Sequence, residues 1–77
     1  MKLELDARHL LCPLPVIRTQ DAVKHLQAGD KLLVHCTDPG AIHDIPTWCR
    51  INGHIVRDIH LDGRDITITV EVTDGVV

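Results

Sequence analysis

Apolar and polar residues alternate from Met1 to Asp6, with Leu3 and Leu5 on one side, a pattern that predicts a short strand. The period then changes. Val16, Thr19, Val23 and Leu26 recur at steps of three and four, while Arg18, Asp21, Lys24 and His25 fall on the other side. This predicts an amphipathic helix from about Pro13 to Gln27, closed by Gly29. Pro13 and Pro15 fit its first turn, where a missing N–H costs nothing. Alternation returns in Lys31 to Cys36, with Leu32, Val34 and Cys36 on one face and Leu33 and His35 on the other. Thr37-Asp38-Pro39-Gly40 reads as a turn. Ile42, Ile45, Trp48 and Cys49 form a second helical stripe, interrupted by Pro46. The expectation is a loose turn over Ala41 to His43, Asp44 as N-cap, and a helix from near Pro46 to Gly53. His54 to Leu61 reads as a third strand and Asp62-Gly63 as a two-residue hairpin turn. Asp65 to Val72 is the clearest strand, with Ile66, Ile68, Val70 and Val72 facing one way and Thr67, Thr69 and Glu71 the other. Thr73 to Val77 reads as a flexible tail.

The predicted order is β-α-β-α-β-β. Strands with one apolar and one polar face imply a sheet covered on one side. The expected fold is an α+β two-layer sandwich: a four-stranded mixed sheet with two helices on one face, forming a single domain over 1–77. Trp48 is the sole aromatic residue, with no Phe or Tyr, so the core must be built from Leu, Ile, Val and Ala.

Charge and composition narrow the function. Eight Lys and Arg against eleven Asp and Glu give a net charge of −3. A nucleic-acid binder wants a basic face, and a reader of single strands wants a platform of aromatic residues; neither is present, so no direct nucleic-acid partner is expected. No apolar run is long enough for a membrane span, and the charged N-terminal residues do not read as a signal peptide, so no membrane association is expected. With an odd count of three cysteines, this points to a reducing cytoplasm and free thiols.

The three thiols differ. Cys36 is in phase with Leu32 and Val34, and Cys49 lies on the apolar stripe beside Trp48; both read as small core residues, Cys49 with a lesser option as a resolving thiol. Cys12 lies in a loop directly before the proline-fixed helix start. A helix N-terminus offers unpaired N–H groups and a partial positive charge, both of which favour a thiolate. The bland alternative is a capping residue without a role, for which cysteine is poorly suited. His9, three residues earlier, is able to approach Cys12, but no triad is visible. A Cys-x-x-Cys pair is absent, which excludes dithiol exchange within one motif. The six histidines follow no zinc spacing, and most fall at polar positions. Arg8 and Arg18 flank the Cys12 loop in sequence and are candidates for attracting an anionic persulfide or an acidic partner; solvated surface residues are the bland alternative.

Leu5-Asp6-Ala7-Arg8 followed by Leu11-Cys12-Pro13-Leu14-Pro15-Val16 resembles the signature of the TusA/SirA family of sulfur carrier proteins, Asp-x-x-Gly-x-x-Cys-Pro-x-Pro. Thr37-Asp38-Pro39, Asp44-Ile45-Pro46-Thr47-Trp48-Cys49 and Gly53-His54 resemble that family's second-helix region. The resemblance runs from Leu3 to Val72, with one departure: His9 stands where the family usually has Gly. If that Gly takes a positive φ, His9 bears some strain.

The resemblance implies a stoichiometric carrier rather than a stand-alone enzyme. In the family the motif cysteine accepts sulfane sulfur as a persulfide from a cysteine desulfurase or a rhodanese-like donor and passes it to a downstream acceptor, such as a TusD/DsrE-like protein. Carried over, Cys12 is the acceptor thiol and Pro13 and Pro15 shape its loop. Leu11 and Leu14 are the candidate docking surface. Sulfur exchange between thiols needs no cofactor, and no metal is expected. The route is left open between transfer RNA thiolation and oxidation of reduced sulfur compounds. Two other classes are a regulatory or adaptor module without sulfur chemistry, in which Cys12 is replaceable by Ser, and a small Cys/His metal chaperone.

Overall fold

A computed structural model describes residues 1–73. The elements follow in the order β1 (Lys2–Ala7), α1 (Leu14–Val23), β2 (Lys31–Cys36), α2 (Ala41–Asn52), β3 (Ile55–Asp62) and β4 (Asp65–Glu71). The strands form one sheet in the order β1-β2-β4-β3. β1 and β2 run parallel, so α1 is the crossover between them; β2–β4 and β3–β4 are antiparallel.

The alternation sets which face is buried. Leu32, Val34 and Cys36 on β2 and Ile66, Ile68 and Val70 on β4 are buried toward the helices, together with Ala7, Ala41, Ile45 and Cys49. Val16, Leu26, Ile42 and Trp48 pack around this core. The opposite face carries Glu4, His35 and Thr67, joined through the His35 ring to Glu4 Oε1 at 2.9 Å and Thr67 Oγ1 at 3.2 Å. Among the described residues one polar side chain, Thr19, is fully buried on the inner face of α1, and its hydroxyl donates to the Pro15 carbonyl at 2.8 Å.

Several boundaries differ from the sequence reading. α1 ends at Val23 rather than Gln27. The His25 and Leu26 N–H groups donate to the carbonyls of Ala22 and Val23, tightening the chain into turns, and Asp30 Oδ2 takes the Gln27 N–H. α2 begins at Ala41, not near Pro46, and Asp44 is not its N-cap. The turn residues Asp38, Pro39 and Gly40 lend their carbonyls to the N–H groups of Ala41 to Asp44, so the helix extends upstream of the proline. It closes at Gly53, whose φ of 80° lets the His54 N–H fold back to the Cys49 carbonyl at 2.8 Å. In the β3–β4 hairpin Asp62 pairs with Asp65, so the turn residues are Gly63 and Arg64 rather than Asp62 and Gly63. Gly63 alone of the two has positive φ, 62°, as a type II′ turn requires. Of the expected tail, Thr73 is anchored, its N–H donating to His54 Nδ1 at 3.2 Å; residues 74–77 lie outside the described residues.

That contact fixes the His54 tautomer, since Nδ1 must accept. The ring stacks on Trp48 with centroids 5.3 Å apart. Burial lowers its pKa below the ordinary 6.5. Protonation is therefore easier in the unfolded chain, and stability is expected to fall as pH drops below about 6.5. Thermal melts between about pH 7 and about pH 5 check this, and His54→Gln is expected to flatten the slope in that window. An unchanged slope in the variant would assign it to other groups.

Candidate functional site

Parallel pairing of β1 with β2 brings their C-terminal ends to the same edge, with Ala7 opposite Cys36. The loop from Arg8 to Pro13 and the loop from Thr37 to Gly40 therefore lie side by side. Thr37 Oγ1 accepts the His9 N–H at 2.9 Å, and Asp38 Oδ2 accepts the Cys12 N–H at 2.8 Å. The other oxygen of Asp38 accepts the Gly40 N–H at 3.2 Å, which ties the Cys12 backbone to the start of α2. His9 has φ of 65°, in the left-handed region that favours glycine, so this loop position carries some strain.

Cys12 sits at the tip of this arrangement, exposed, with a cis peptide to Pro13. Pro13 is the residue before α1, and Pro15 is buried in its first turn. Cys36 and Cys49 are buried, with 0% and 1% of their surface exposed. Burial raises both thiols, Cys49 to about 11.

The electrostatics of Cys12 correct the helix-terminus expectation. Its Sγ lies 2.6 Å from Asp44 Oδ2, in the first turn of α2. The thiol's pKa is raised, first by donating this hydrogen bond, then by partial desolvation, then by the negative charges of Asp44 and Asp38. A full carboxylate charge in contact outweighs the half charge of a helix end. The resting thiol is held protonated.

The other candidates fall around this centre. Leu11 and Leu14 are exposed, 74% and 42%, and Ile17 continues the patch one turn on at 45%. Arg8 does not hydrogen-bond Cys12; its guanidinium forks onto Asp6, at 2.9 and 3.2 Å. That pairing holds the Asp6 carboxyl down at about 2. Arg18 is exposed on α1. A shallow groove of about 420 Å³ opens beside Asp38, lined by Thr37, Pro39, Ile42, Leu61 and Ile66 among others. Among the described residues, no three or more His, Cys, Asp or Glu side chains gather as a metal set, and no helix is long and apolar enough to cross a membrane.

Asp38 and Asp44 are the site residues that sequence reasoning missed. For Asp38 the signal was available in the topology: once β1 and β2 are parallel neighbours, the residues just after each must meet; Asp44, in the first turn of α2, gave no such signal.

The sequence model of the family described as "Sulfurtransferase TusA" matches residues 3–72. The chain belongs to the TusA family. Its relatives include the "Putative sulfur carrier protein YrkI" of Bacillus subtilis, 46% identical over 50 residues, 65% of this chain and 67% of that one. A "Putative sulfur carrier protein" of Neisseria meningitidis serogroup A is 39% identical over 67 residues, covering 87% of this chain and 90% of its own. The fold matches a SirA-like protein from Desulfitobacterium hafniense with a TM-score of 0.81 at 23% identity, over 94% of this chain and 99% of that one. The TusA-family assignment spans β1 through the end of β4, so the Cys12 loop and both acidic residues fall inside it.

Proposed function

We propose that this TusA-family chain accepts sulfane sulfur as a persulfide on Cys12 and hands it to a downstream acceptor in a cytoplasmic sulfur relay. The observation that supports this most is the contrast among its thiols. Cys12 alone of the three is exposed, at the tip of a loop tied down by Asp38, while Cys36 and Cys49 are core residues. A carrier needs an accessible sulfur on a rigid mount and no enclosing pocket.

In the proposed reaction a persulfide donor docks over the loop. Cys12 gives up its proton and attacks the donor's outer sulfur; the donor cysteine leaves as the thiolate and takes up a proton. An acceptor thiolate then removes the sulfur from Cys12 in the same way. The donor in this reading is a cysteine desulfurase or a rhodanese-like protein, and the acceptor is TusD/DsrE-like. Delivery is to transfer RNA thiolation or to oxidation of reduced sulfur compounds. Leu11, Leu14 and Ile17 form the docking surface on one side of the thiol, with Arg18 next to them on α1; Pro13 and Pro15 hold the loop.

Cold cyanolysis tests this reading. After incubation with thiosulfate and a rhodanese, the purified protein is expected to release about one equivalent of thiocyanate. Cys12→Ser is expected to release none. Equal release from the variant would move the sulfur to another thiol, and a Cys12→Ser protein fully active in the cell would favour an adaptor role.

A further inference from the structure

We propose that Asp44 sets how tightly Cys12 holds sulfur, favouring the empty carrier and so driving sulfur onward. This inference rests on the persulfide reading above.

In the empty protein the Cys12 S–H donates to Asp44 Oδ2 at 2.6 Å. A carboxylate accepting that bond stabilises the protonated thiol. Loading removes the bond. Hydropersulfides are stronger acids than thiols, so at neutral pH the terminal sulfur on Cys12 is an anion with no proton to offer. It stands beside the carboxylates that act on the thiol, Asp44 from α2 and Asp38 from the loop before it. Asp38 already spends both oxygens on the Cys12 and Gly40 N–H groups, which leaves Asp44 as the less compensated charge. One side chain therefore stabilises the reactant of loading and destabilises the product.

The exchange balances as R–S–S⁻ plus Cys12–SH giving R–SH plus Cys12–S–S⁻. The donor's S–S bond breaks and one to Cys12 Sγ forms. The thiol proton of Cys12 ends on the donor sulfur, and the net redox state does not change. Asp44 biases this equilibrium toward the left. A sulfur held weakly is passed readily to the next thiol.

The test equilibrates the protein with a fixed ratio of glutathione persulfide to glutathione at neutral pH and reads loaded and empty forms by intact mass. Asp44→Asn keeps the shape and removes the charge. Its loaded-to-empty ratio is expected to rise roughly tenfold, the equivalent of one pKa unit. Asp44→Ser is expected to move the same way if the Asn variant folds poorly, and Asp44→Glu to lie closer to the wild type. Asp58→Asn, on β3 and paired opposite Thr69, serves as a charge control and is expected to change nothing. The pH profile of Cys12 alkylation in the empty protein gives an independent readout, with its midpoint expected lower in Asp44→Asn. A wild type that loads while Asp44→Asn loads equally or less would overturn the role of Asp44. A wild type that takes no sulfur would overturn the persulfide reading itself, and this inference with it.

Discussion

In the native protein, after correction for thiolate fraction, Cys12 is expected to alkylate at least about a thousandfold faster than Cys36 or Cys49. The two slow thiols are 0% and 1% exposed, on β2 and α2, inside the core shared by both layers. Reagent reaches them only when the structure opens, so their rates carry the free energy of that opening. At roughly 0.05–0.15 kcal/mol per residue, 77 residues give a stability of roughly 4–12 kcal/mol. The lower figure already corresponds to about a thousandfold protection. Timed iodoacetamide labelling with peptide mapping reads all three sites in one experiment. Rates within about tenfold of each other, after correction for thiolate fraction, would mean that burial does not separate the thiols. Cys36→Ala and Cys49→Ala are expected to lower stability and still take up sulfur.

The largest stability effect is expected at the centre of the sheet. Ile68 is fully buried on β4, between Val34 of β2 and Ile59 of β3. Ile68→Ala removes buried methyl and methylene groups and leaves a cavity, costing about 2–5 kcal/mol. That is a large share of the total stability. With a urea slope of about 1 kcal/mol/M for a domain this small, the unfolding midpoint is expected to fall by about 2 M or more. Ile17→Ala is the contrast. Ile17 lies on the outer face of α1, and its loss is expected to change stability by less than about 0.5 kcal/mol. Urea titrations of the two variants check both values. A small effect at Ile68 would place the core elsewhere.

Most of the fold was legible because it depends on period. The alternation in Lys31–Cys36 and Asp65–Glu71 reports the buried face directly, and it placed Cys36 among Leu32 and Val34. Helix ends were less legible because they depend on where spare N–H and carbonyl groups go. Pro46 looked like the start of a helix. The carbonyls of Asp38, Pro39 and Gly40 extend α2 upstream of it, a feature no local propensity reports. The same gap explains the site. Cys12 stood out from its own loop, but the sign of its acidity did not. Reasoning along the chain gave the thiol a helix N-terminus. The fold gave it Asp44, thirty-two residues away, and the carboxylate dominates. Arg8 followed the same logic in reverse. It flanks Cys12 in sequence, yet its fork is taken by Asp6 two residues back.

The central claim is that Cys12 carries the sulfur. Its most direct test is intact mass after incubation with a cysteine desulfurase, pyridoxal phosphate and cysteine, and separately with a rhodanese and thiosulfate, for the wild type beside Cys12→Ser. The expected result is a gain of one sulfur atom on the wild type with at least one donor and no gain on the variant. The same gain on both proteins, or no gain on the wild type with either donor, would contradict it.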